Sequence, residues 1–125
     1  MLGSGGSSNS VMLSPFPAGS TVRLMPIGDS ITRSTCWRAR LWEALNPAYA
    51  GRFDFVGTLQ STGTNCMPTM YDQDNQGYGS SLVTEIVSTA VEPRDCQPLC
   101  PSLADLRAAF MTAQPDVLLM HFGTN

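Results

Sequence analysis

Three short stretches of this 125-residue chain put small or amide-bearing residues where a strand ends or a helix begins. They are Gly28-Asp29-Ser30-Ile31-Thr32, Asn75-Gln76-Gly77-Tyr78-Gly79-Ser80 and Gly123-Thr124-Asn125. A serine at a strand-to-helix turn projects its hydroxyl from the sheet edge, and its own N–H points into the same space, which suits nucleophilic attack. Glycine lets a backbone N–H approach a substrate oxygen with no Cβ in the way. An asparagine carboxamide is a neutral donor that can be aimed at an oxyanion. Ser30, Gly77 and Asn125 together would supply three hydrogen-bond donors to one developing negative charge. Each stretch taken alone is also what a plain turn looks like.

The elements that must position these residues alternate along the chain. Residues 1–20 are rich in Ser, Gly and Pro and read as a flexible leader, followed by one domain over residues 21–125. Val22–Ile27 is a short, mainly apolar run closed by Gly28, as expected of a buried parallel strand, and Pro26 should end its ladder. Trp37, Leu41 and Leu45, with Trp42 beside them, mark an amphipathic helix that Asn46-Pro47 closes. Phe53–Gly57 suits a second strand, and the polar stretch from Gln60 to Ser80 reads as a loop too long to be idle. Leu82, Val83, Ile86, Val87 and Ala90 give a second helix. Ser102 and Asp105 cap a third, which Pro115 ends before the apolar strand Asp116–Phe122. Strands separated by helices mean an α/β fold with a parallel sheet covered on both faces.

Composition removes several functions. Ten acidic residues against seven basic ones, all arginine, leave a net charge of −3, so a nucleic-acid or anionic-membrane surface is not expected. No apolar run approaches the ~20 residues of a membrane span, and the first ten residues lack the pattern of a signal peptide. Cys36, Cys66, Cys96 and Cys100 lack zinc-site spacing, and three disulfide pairings are open to them. Cys36–Cys66 with Cys96–Cys100 is the favoured one, which implies a secreted protein; four buried free thiols are the alternative.

Ile27-Gly28-Asp29-Ser30-Ile31-Thr32, Asn75-Gln76-Gly77-Tyr78 and Pro115–Asn125 resemble the Ser, Gly and Asn blocks of the SGNH (GDSL-type) hydrolases, in the right order. Cys36-Trp37-Arg38 with Leu41, and Phe53–Thr58, look like the branch containing carbohydrate esterase family three, the acetyl xylan esterases. The resemblance implies a flavodoxin-like three-layer α/β/α fold and hydrolysis of acetyl esters, on a substrate such as acetylated xylan, without metal or cofactor. It makes Ser30 the nucleophile and assigns the oxyanion to the N–H groups of Ser30 and Gly77 and the side chain of Asn125. Asp29 would buttress the loop.

The family's late Asp-x-x-His block has no counterpart in these residues. The single histidine, His121, reads as a neutral residue hydrogen-bonded in or beside the core. In a 2-1-3-4-5 strand order the third strand is internal, yet here it would be an open apolar edge, so the chain is expected to be the N-terminal part of a larger fold. Its partners would be the remaining part of the domain or a second chain, and an acylated carbohydrate or small ester. A non-catalytic carbohydrate- or partner-binding module is the alternative, resting on the absent base and on Tyr71 and Tyr78 as stacking faces. Phosphate binding after Gly28 is opposed by the charge of Asp29. Arg33, Arg38 and Arg40 read as solvated, Trp37 as core, and Asp72 and Asp74 as too few ligands for calcium.

Overall fold

The computed structural model describes residues 16–84 and 101–124. At its centre lies β1 (Val22–Gly28), followed in sequence by α1 (Ser30–Ser34) and α2 (Trp37–Tyr49). There follow β2 (Phe53–Phe55), β3 (Leu59–Gln60), β4 (Asp74–Gly77), α3 (Leu103–Ala113) and β5 (Val117–His121). The expected second helix from Leu82, the Cys96 and Cys100 pair and Asn125 lie wholly or mostly outside the described residues.

β1 is the template for three parallel partners. On one side it pairs with β5 from Leu24↔Val117 to Gly28↔His121. On the other, its first half pairs with β2 through Val22↔Phe53 to Leu24↔Phe55, and its end pairs with β4 through Ile27↔Gln76 and Gly28↔Gly77. The order β2-β1-β5 is the arrangement expected for the first three strands of a flavodoxin-like sheet. β3 runs antiparallel to β4, so the sheet is mixed rather than purely parallel.

Pro26 does not end the ladder, contrary to the sequence expectation. The Leu24 and Gly28 carbonyls accept from Val56 and Tyr78, so even-numbered residues of β1 face the β2 and β4 side. Pro26 therefore turns its missing N–H toward the seam where β2 has left and β4 has not yet joined. Nor does Asn46-Pro47 close α2, which runs on to Tyr49 with Pro47 in its last turn. The proline removes a donor to the carbonyl of Glu43, an exposed position where solvent replaces it.

Alternation along β1 divides the core. Met25 and Ile27 face α3, packing with Val56, Tyr78, Leu106 and Ala113. The opposite face carries Phe53 and Phe55 under Trp42 of α2, with ring centroids 4.8 and 5.4 Å from the indole. α3 starts as expected. The Ser102 hydroxyl accepts from the Asp105 N–H while Asp105 accepts from Ser102, and Gln114 closes the helix in the left-handed region before Pro115. The Cys36–Cys66 disulfide is formed and fastens the 61–73 loop to the start of α2. No helix among the described residues is long and apolar enough to cross a membrane.

Candidate active site

The residues at the end of β1 are held by one carboxylate. Asp29 is fully buried and caps α1, its Oδ1 accepting from the Ile31 N–H at 2.9 Å. Its Oδ2 accepts from the Thr124 N–H at 3.4 Å and from the Thr124 hydroxyl, and its own N–H donates to the His121 carbonyl. Burial by itself would raise its pKa, but the Thr124 hydroxyl and the Ile31 and Thr124 amides outweigh that and hold it below the ordinary value. Asp29 thus ties the first motif to the third, as the expected buttress would. Its charge already occupies the start of α1, leaving no room there for phosphate.

Ser30 is the first residue of α1 and partly exposed, and its hydroxyl has no hydrogen-bond partner among the described residues. α1 sits close to the sheet because two glycines permit it. A Cβ on Gly28 would collide with the His121 carbonyl and the Thr32 hydroxyl, and one on Gly77 would lie 2.6 Å from the Arg33 nitrogen. Ser30 and Gly77 are thereby brought to the same corner, with Gly28 and Gly77 in register. Asn125 follows Thr124 and is itself not described.

Gly77 belongs to β4 rather than to a loop, and its N–H donates to Asn75 Oδ1 at 2.9 Å. Gly79, two residues on, is partly exposed and its N–H has no partner among the described residues. Arg33 reaches toward it, with Nη1 3.7 Å from where a Cβ on Gly79 would sit. Gly79 was visible in the second motif, but only the strand geometry separates its amide from that of Gly77.

Several expectations change. Arg38 is not solvated: it is fully buried, and its guanidinium donates to four carbonyls, those of Thr32, Arg33, Ser61 and Gln73, and to the Ser61 hydroxyl. Arg40 does lie outside, paired with Glu43 at 3.0 Å. His121 is exposed at the end of β5, opposite Gly28, rather than packed in the core. Tyr71 and Tyr78 are buried; the Tyr78 hydroxyl accepts from Gln76 Nε2 at 2.6 Å, so neither ring is free to stack on a sugar. Trp37 is only partly buried, and its indole nitrogen is enclosed without a partner among the described residues.

Asp72 is a structural acceptor, taking the Phe55 and Asp74 N–H groups at 3.0 and 3.1 Å. Burial, reinforced by Asp74 and Asp54, raises its pKa to about 6. No cluster of metal-ligating side chains occurs among the described residues. A cavity of about 430 Å³, lined by Phe16, Leu45, Tyr49 and Phe53 among others, opens beside Val22 at the opposite end of β1 from Ser30.

No protein-family model and no curated protein matches the chain. Two solved structures do. One is a serine-to-alanine mutant of an acetyl esterase with acetate ion, and the other is a carbohydrate esterase family 3 protein from Talaromyces cellulolyticus. Each superposes with a TM-score of 0.66 and 29% identity, over 84% of this chain. The chain spans 44% of the length of either structure. Over its aligned part, the backbone of this chain therefore resembles the family 3 carbohydrate esterases, the branch its sequence motifs suggested.

Proposed function

We propose that the chain carries the nucleophile and oxyanion portion of a secreted serine esterase that removes acetyl or other short acyl groups, with acetylated plant cell-wall polysaccharide such as xylan as substrate. The observation that supports it is the corner where α1 packs on the end of β4. Arg33 of the Ser30 helix packs there on Gly77 with its guanidinium toward Gly79, and Asp29 draws Thr124, the neighbour of Asn125, to the same strand ends. In this reading Ser30 Oγ attacks the ester carbonyl, the alcohol leaves, and water hydrolyses the acyl-enzyme without metal or cofactor. The oxyanion takes the Ser30 N–H, a backbone N–H of the Gly77–Gly79 turn and the Asn125 carboxamide. Gly77 would have to exchange Asn75 Oδ1 for substrate, whereas Gly79 offers its N–H without rearrangement.

The general base is a histidine oriented by a carboxylate, supplied by the rest of the domain or by a second chain, as the Asp-x-x-His block of the resembled family implies. His121 is a poor substitute. The nearby Asp29 has both oxygens committed to Ile31 and Thr124 and does not orient its ring. The Cys36–Cys66 disulfide fits an oxidising, extracellular setting. A binding module that stacks sugars on Tyr71 and Tyr78 loses its support, because both rings are buried.

Acetyl release from p-nitrophenyl acetate and from acetylated xylan, measured on the full-length protein and its Ser30→Ala variant, tests this. A fall of at least ~10³-fold is expected for the variant. Equal rates would remove Ser30 from the mechanism.

A further inference from the structure

We infer that Arg38 is a positioning residue for the nucleophile, holding the Ser30 helix against the strand end that carries Gly77 through one buried hydrogen-bonded frame. This rests on the esterase reading of that corner and names a residue the reading does not need.

The frame can be followed atom by atom. Arg38 Nε donates to the Thr32 carbonyl at 2.7 Å and Nη2 to the Arg33 carbonyl at 3.1 Å, so the guanidinium grips the carbonyls of α1. Nη1 donates to the Gln73 carbonyl at 3.1 Å, and Nη2 to the Ser61 carbonyl at 2.7 Å and the Ser61 hydroxyl at 3.1 Å. That hydroxyl donates in turn to the Arg33 carbonyl at 2.8 Å and accepts from Asn75 Nδ2 at 3.0 Å. Asn75 Nδ2 also reaches the Gln73 carbonyl at 2.9 Å, and its Oδ1 takes the Gly77 N–H. Arg38, Ser61 and Asn75 therefore link α1 to Gly77 without a break.

Arg33, the residue gripped from behind, is the one whose backbone presses on Gly77. A shift of its carbonyl moves Ser30, three residues earlier in the same short helix. The guanidinium suits this task because its planar fork serves several acceptors at fixed angles, which an ammonium cannot. A misplacement of about 1 Å at a reacting group costs on the order of 10²-fold in rate.

The test compares wild type with Arg38→Lys and Ser61→Ala, with Ser30→Ala as the control on the esterase reading. Amide hydrogen exchange is read at Arg33 and Gly77, together with kcat and KM for p-nitrophenyl acetate on the full-length protein. In Arg38→Lys, exchange at Arg33 and Gly77 should accelerate roughly tenfold or more while α3 and β5 stay unchanged, as expected for local rather than global opening. Its kcat should fall by about 10- to 100-fold with KM within about twofold, the signature of misplaced reacting groups rather than lost binding. Ser61→Ala removes a single hydroxyl and should shift both readouts in the same direction by less. Unchanged exchange at Arg33 and Gly77 in both variants, or unchanged kcat where exchange has accelerated, would overturn the inference. A wild-type rate in Ser30→Ala sinks the esterase reading instead, and exchange then still reports whether Arg38 fixes the corner.

Discussion

On the β4 side of β1, neighbours are tied by side-chain hydrogen bonds from Arg38, Asn75 and Gln76, each at most 2% exposed. On the β5 side, side-chain hydrogen bonds among the described residues lie only at the two ends, from the Arg23 N–H to Asp116 and from Thr124 to Asp29, and between them contact is the backbone ladder and apolar packing; Leu118 is 40% and Met120 64% exposed, and β5 pairs with no second strand among those residues. The contrast is one of directionality. Apolar contact tolerates small displacements, whereas a buried donor that loses its acceptor costs the full desolvation of that group. Among the described residues, positional accuracy is concentrated where Ser30 stands.

Four changes probe that contrast, the largest first. Arg38→Met strips donors from four buried or part-buried carbonyls and should cost about 3–5 kcal/mol, measured by denaturant unfolding. Replacing both Cys36 and Cys66 by serine releases a loop with sequence separation 30 and should cost about 3 kcal/mol on the same measurement. Asp72→Asn tests the polar side through pH. Because the folded pKa of Asp72 is raised to about 6 from 3.8, the folded chain binds that proton more tightly than the unfolded chain does. Its contribution to stability is therefore full below about pH 3.8, is lost as pH rises from there through 6 and is absent above; unfolding of Asp72→Asn followed from below pH 3.8 to pH 7 should lack that decline. Asp29, with a depressed pKa, acts oppositely and loses its contribution as pH falls below its ordinary value. Last, Met120→Lys on the exposed face of β5 should change unfolding free energy by less than about 0.5 kcal/mol. A cost comparable to Arg38→Met would erase the contrast between the two sides.

What the sequence revealed follows the same division. β1, β5 and α3 were legible because apolar runs and a Ser-x-x-Asp cap are local signals, and the Cys36–Cys66 pairing was among the three available. β3 and β4 were read as loop. Asp74-Asn75-Gln76-Gly77 has no strand propensity, and β4 exists because Asn75 and Gln76 find buried partners in Ser61, Thr58 and Tyr78. Arg38 looked like one more charge on a helix, because acceptors that are backbone carbonyls, as far away as Gln73, leave no trace in side-chain type. In the candidate site, Ser30 and the third motif were named from residue type and order alone. That Asn75 already holds the Gly77 N–H is a matter of geometry alone.

The seam at Pro26 gives the chain latitude in one place. Because β2 departs and β4 arrives on the same flank, the excursion between them begins and ends at one side of the central strand. Ser61, Cys66 and Gln73 pin it, so its length can vary only between those anchors, where doubling a flexible stretch costs only about 0.6 kcal/mol in closure entropy. Extra chain placed at the tip of that excursion would alter the surroundings of the Ser30 corner without touching the strand that carries it.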